Sequence, residues 1–162
     1  MNTDMEERVI QLLKSYPDRE RQIAALHYKM QHNAQITSEE VIAAMSLGHG
    51  DGLGGSGNGH VSDKTMYIAL NYQDRGDRMN TEAENEIAQR LLELEAVQDQ
   101  LRYYVSLLEK REEEVLRLTY FKGFSQDSIS KLLGVVSRTM RRIKKEAVMK
   151  LAKMYVTEKS MK

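Results

Sequence analysis

The stretch EEEVLRLTYFKGFSQDSISKLLGVVSRTMRRIKKEAVMKL, Glu112 to Leu151, carries two glycines where its apolar periodicity breaks. Val115, Leu118 and Phe121 recur at helical spacing and predict a helix that ends at Gly123. Ser125 then caps a second helix, with Asp127 near its positive end, and Ile129, Leu132 and Leu133 form the predicted buried face. Gly134 supplies a tight turn, and a third helix starts near Ser137. Two short helices joined by a Gly-containing turn make a helix-turn-helix. This stretch decides the fold class: all-α, ending in a helix-turn-helix.

The third helix can be examined by geometry. With Met140 at zero and roughly 100° per residue, Ile143, Ala147, Leu151 and Met154 fall within roughly 60° of it. Arg138, Arg141, Arg142 and Lys145 fall roughly 100° to 200° away. The cations are therefore segregated from the apolar stripe. A recognition helix needs that division, because its N-terminal turns enter the major groove while its inner face rests on the preceding helix. Arginine can bond guanine O6 and N7 in parallel, and lysine or serine can hold phosphate oxygens. Base or groove contact is accordingly expected from Arg138, Arg141 and Arg142. Phosphate contact is expected from Ser137, Thr139, Lys144 and Lys145, with Lys131 and Ser125 beside them. A basic helix standing alone would read as a solvated surface; the Gly134 turn and the helix before it favour double-stranded DNA as the partner.

Charge along the chain agrees. The net charge is zero, yet Lys131 to Lys162 holds ten Lys or Arg and two Glu, a net of +8. The first 130 residues therefore carry −8, so one end alone suits a polyanion. There is no cysteine, which excludes disulfides, thiolate metal sites and a thiol nucleophile. A reducing, cytoplasmic setting is expected. MNTDMEER is acidic and no apolar run approaches the roughly 18 residues of a membrane span, so neither signal peptide nor membrane contact is expected.

Upstream, helices dominate the pattern and no strand alternation is convincing. Thr3 with Glu6, Thr37 with Glu40 and Thr81 with Glu84 have capping-box spacing. Helices are predicted over about 4–14, 17–32, 38–45 and 62–72, with a break near Gly76 and a long helix from Asn80. In that helix Ile87, Leu91, Leu94, Gln98, Leu101, Val105 and Leu108 form a heptad seam with one polar interruption. Its partner is either the stripe Ile23, Leu26 and Met30 of the same chain or a second copy. The first is favoured because that stripe also needs cover, and a homodimer through the long helix, a coiled coil, stays open. The predicted organisation is a helical module over 1–46, a linker over 47–61, helices over 62–107 and the helix-turn-helix over 108–157.

Seven of the twelve residues from Gly48 to Gly59 are glycine, which predicts a mobile linker. Gly52, Gly54 and Gly57 follow the spacing of a nucleotide loop, but no strand precedes them and no Lys-Ser/Thr follows. His49, Asp51 and His60 read as linker polar residues, since a glycine tract holds no rigid metal site. No cofactor and no metal are expected. Nor is an enzyme: His27 and His32 do not share a helix face, no G-x-S-x-G elbow is present, and Glu112 to Glu114 read as a solvated face.

The residues from Leu108 to Leu151 also resemble the fourth region of bacterial sigma factors, the helix-turn-helix that reads the promoter −35 element. REEEVLRLTYFKGFSQDSISKLLGV has its order of Arg-Glu start, aromatic pair, Gly, Ser-capped helix and Leu-Gly turn. MRRIKKEAVMKL resembles the recognition helix of primary sigma factors without a gap. That resemblance implies DNA contact at Ser137, Arg138, Thr139, Arg141 and Arg142, and RNA polymerase as a further partner. Glu109 departs from a frequent proline. Val136 stands where a Thr caps, which moves the expected cap to Ser137, and Arg138 stands where a Glu reads a base, which implies a different target. Residues 1–107 are acidic and lack tryptophan, so no promoter-melting domain is expected there. The order of YPDRERQIAAL, a Gly/Ser-rich tract, VSDKT, a long helix and the sigma-like end is similar to phage-encoded transcriptional regulators of the ArpU and RinA type. That resemblance implies regulation of late or packaging genes.

Overall fold

The computed structural model describes residues 2–32, 37–47 and 63–160. Among these there are seven α-helices and no strand: α1 Asn2–Lys14, α2 Tyr16–Gln31, α3 Ser38–Leu47, α4 Asp63–Ser106, α5 Lys110–Leu116, α6 Gln126–Leu133 and α7 Ser137–Ser160. A π-helical turn, Arg117–Phe121, follows α5. The glycine tract and its His49, Asp51 and His60 lie outside the described residues. No described helix is long and apolar enough to cross a membrane. The chain divides into two compact units, Met1–Ala25 with Leu91–Lys162, and Leu26–Arg90.

In the second unit, Thr37 and Glu40 form the expected capping box: the Thr37 N–H donates to Glu40 Oε2 at 2.9 Å and the Glu40 N–H donates to Thr37 Oγ1 at 3.3 Å. The other two boxes are corrected. Thr3 lies inside α1, which starts at Asn2. Thr81 lies inside α4, where its hydroxyl donates to the Asp77 carbonyl at 2.8 Å. The break predicted near Gly76 is absent as well, since α4 runs unbroken from Asp63 to Ser106. One helical glycine costs only about 1 kcal/mol against alanine, too little to interrupt 44 residues. A Cβ on Gly76 would stand 3.3 Å from Val41 Cγ2, so this glycine permits a close approach by α3.

In the first unit, Leu101, Val105 and Leu108 of the seam are buried with Val9, Leu13 and Tyr16 from the N-terminal helices and Ala147, Val148 and Leu151 from α7. Leu101, Val105 and Leu108 are therefore covered within the chain by α1 and α7; Leu91 and Leu94 are buried as well, and Ile23 and Leu26 of the stripe expected to cover the seam are half-buried. Met30 of that stripe is 40% exposed. Gln98, 1% exposed, marks where α4 meets the start of α2. It accepts from Arg19 Nε at 2.8 Å and donates to the Tyr16 carbonyl at 3.2 Å and to Glu20 Oε1 at 2.8 Å. A buried amide with both ends satisfied sets register, since a one-turn slip would strand its polar atoms.

A candidate nucleic-acid interface

α5, the π turn, α6 and α7 build the C-terminal motif around a small core of Val115, Leu118, Ile129 and Met140, with Leu133, Val135 and Ile143 against it. The π turn changes which residues face which core. Val115 and Leu118 enter this cluster, whereas Leu116, Tyr120 and Phe121 pack against the core that holds α1. The Lys122 N–H reaches back to the Arg117 carbonyl at 2.9 Å, and Gly123 at φ +70° ends the helix as expected. Glycine takes this left-handed conformation without the Cβ clash of other residues.

Ser125 caps α6: its hydroxyl accepts from the Ser128 N–H at 3.2 Å. Gly134, at φ +63° and ψ +33°, turns the chain out of α6. The next N–H, from Val135, closes on the Ser130 carbonyl at 3.0 Å, a Schellman-type stop. Ile129 is buried and Leu133 half-buried, but Leu132 is 67% exposed. The expectation that Leu132 is buried is corrected: Ile129 and Leu133, four apart, already fill the inward side of this eight-residue helix, leaving Leu132 turned out.

α7 starts with Ser137 as its first helical residue. The carbonyl of Val136 accepts the first helical bond, from the Met140 N–H at 3.1 Å, so Val136 holds the cap position and the expected cap at Ser137 is displaced by one residue. A valine side chain offers no acceptor there, so Val136 itself caps none of the leading N–H groups of α7. Met140, Ala147 and Leu151 are buried and Ile143 and Met154 half-buried, as the wheel predicts.

Arg138, Arg141, Arg142 and Lys145 are exposed on the outer side of α7. Arg142 lies 3.9 Å from Glu146, an exposed i,i+4 pair of small energetic weight. Ser137 and Thr139 are half-buried at its first turn. Ser137 shares a shallow groove between α6 and α7 with Asp127, Ser130, Lys131, Val135 and Val136. Lys131 is exposed there, while the Ser130 hydroxyl is buried without a hydrogen-bond partner among the described residues. Ser125 is exposed at the far end of α6. Lys144 stands apart from the other α7 cations: its Nζ sits 5.3 Å from the centre of the Tyr120 ring. Burial, and then the charge of Lys14, hold this ammonium below its ordinary range.

Sequence reasoning missed three participants. Glu112, expected in a solvated run, is only 4% exposed. One of its carboxylate oxygens accepts from Lys150 Nζ at 2.7 Å and the other from the Glu109 N–H at 3.2 Å, which ties α7 to the start of α5. Its charge masked it, since an acid in a Glu run signals a buried ion pair no differently from a wet surface. Ser130 and Lys14 carried no signal either, because each acquires its surroundings only when distant segments meet. Among the described residues no group of three or more His, Asp or Glu is placed to hold a metal ion.

Residues 105–153 match the family model described as Sigma-70, region 4. The chain therefore carries a region 4-like helix-turn-helix of DNA-binding type, over less than a third of its length. No curated protein and no solved structure matches the chain.

Proposed function

We propose that this protein is a sequence-specific transcriptional regulator whose α7 lies in the major groove of duplex DNA. One observation carries the reading: Arg138, Arg141, Arg142 and Lys145 share the exposed side of a helix whose opposite side is seated on the core. On this reading Arg138, Arg141 and Arg142 reach base edges or the groove floor. Ser125, Lys131, Ser137, Thr139, Lys144 and Lys145 hold phosphates, and the positive N-terminal end of α7 adds to that attraction. The order of segments along the chain supports a regulator of the phage-encoded kind, acting at late or packaging genes. Footprinting on a duplex selected from random sequence tests it. Arg138→Ala and Arg142→Ala each lose about 1–3 kcal/mol of specific binding, while Lys145→Ala weakens all sequences alike. Unchanged footprints for all three variants would remove the recognition-helix assignment.

The region 4 match favours a second reading, a sigma-like subunit that recognises a promoter element only on core RNA polymerase. Footprints with and without the core enzyme separate the two: protection by the protein alone supports the regulator, and protection only with polymerase supports the subunit. A homodimer through the long helix would use its outward residues Leu92 and Tyr103, because Leu101, Val105 and Leu108 are already covered. Paired half-sites about one helical turn apart, or a multiple, would report that dimer, and a single site a monomer.

A further inference from the structure

The start of α7 carries a residue that folding alone would not choose. Val136 holds the cap position, its carbonyl accepting from the Met140 N–H at 3.1 Å. Serine, threonine, asparagine or aspartate is preferred at a cap because its side-chain oxygen accepts from a leading N–H. Val136 has no such oxygen, and burial does not compensate. It is 70% exposed, while its neighbour Val135 packs against the core of Val115, Leu118, Ile129 and Met140. An exposed valine at an arbitrary surface position needs no explanation. At a cap it breaks a local rule, and such breaks collect where a protein touches its ligand.

The backbone around Val136 is pinned on both sides. Before it, Gly134 turns at φ +63° and the Val135 N–H closes on the Ser130 carbonyl at 3.0 Å; after it, α7 begins. Val136 therefore presents its methyl groups at the tip of α7, about 3 Å along the axis ahead of Arg138. It lines the shallow groove between α6 and α7 with Lys131 and Ser137. In a helix-turn-helix on DNA the first residues of the second helix meet base edges, with phosphates to either side. Most groups on those edges are donors and acceptors, which a valine cannot match. The apolar group among them is the C5 methyl of thymine. We propose that Val136 packs on the C5 methyl of a thymine beside the bases read by the arginines, and so adds that thymine to the recognised sequence. This rests on the DNA-binding reading above.

Titration of the full chain against its selected duplex, with each thymine of the protected region exchanged in turn for deoxyuridine, tests the contact. The exchange removes the methyl and leaves every hydrogen-bonding group in place. For the wild type, at least one exchange should weaken binding about threefold to fivefold, the effect of one buried methyl. Val136→Ser should bind the thymine and deoxyuridine duplexes equally at that position. Its thermal midpoint should stand at or above that of the wild type, since serine supplies a cap, so lost discrimination does not come from a lost fold. Wild-type protein indifferent to every exchange overturns the proposal, as does Val136→Ser protein that keeps the wild-type preference; either result leaves base reading by the arginines intact. Wild-type protein that selects no duplex overturns the DNA-binding reading itself.

Discussion

Glu112 and Lys150 show how little a residue's type says about its surroundings. The carboxylate is buried and the ammonium beside it is largely in water, so removing the lysine leaves the costlier partner behind. Lys150→Met should lower the thermal midpoint, and Glu112→Gln should cost less in that background than in wild type, as a double-mutant cycle would measure. Tyr155 makes a prediction of the other kind. Its hydroxyl is buried with no partner among the described residues, while its ring meets Tyr104 edge-on at 4.9 Å. Tyr155→Phe keeps the ring and removes the orphan, so stability should be unchanged or higher. Burial pushes the phenol up to about 12, whereas the unfolded chain ionises near its ordinary value of 10.0. The fold thus retains a proton that the unfolded chain releases, and stability falls as pH rises from about 10 towards 12. Melting curves across that window should fall less steeply for Tyr155→Phe. The Lys150 ammonium, raised by its bonds to Glu112 and Glu109, contributes a loss of the same sign, so some slope should survive the substitution.

At the scale of elements, helix ends dominate. α6 has a serine at its start and a left-handed glycine at its end, both readable from residue type alone. α7 has Val136 where an acceptor would serve, so Val136→Thr should raise stability by about 0.5–1 kcal/mol in denaturant unfolding. If it does not, the first turn of α7 is capped by other means. Gly134→Ala, forced into a left-handed conformation, should cost about 1–2 kcal/mol. Glycine spacing was read correctly at Gly123 and Gly134, where the apolar period also changes, and wrongly at Gly76, where the helical pattern continues past it. A glycine ends a helix when its neighbours supply no further reason to continue. Beside Gly76 that reason is Val41, which approaches where a side chain would stand.

At the scale of the molecule, the helix-turn-helix is not self-sufficient. Leu116, Ala147 and Leu151 lie in a core completed by Val9, Leu13 and Tyr16 from the far end of the chain. Leu13→Ala should therefore cost about 2–5 kcal/mol and loosen the C-terminal motif, seen as lost near-UV signal or faster amide exchange in α7. If the exchange of α7 amides were indifferent to Leu13, the shared core would be the wrong account. The helical class, the turns at Gly123 and Gly134, and the division of α7 into an apolar and a basic side were all legible in the residues alone. Each of these follows from backbone preference and a local period of about 3.6 residues. Tertiary packing alone settles that α1 and α7 cover Leu101, Val105 and Leu108 and that Glu112 is buried. Those depend on which distant apolar surfaces meet, and hydrophobic burial is non-directional, so local sequence carries no record of its partner.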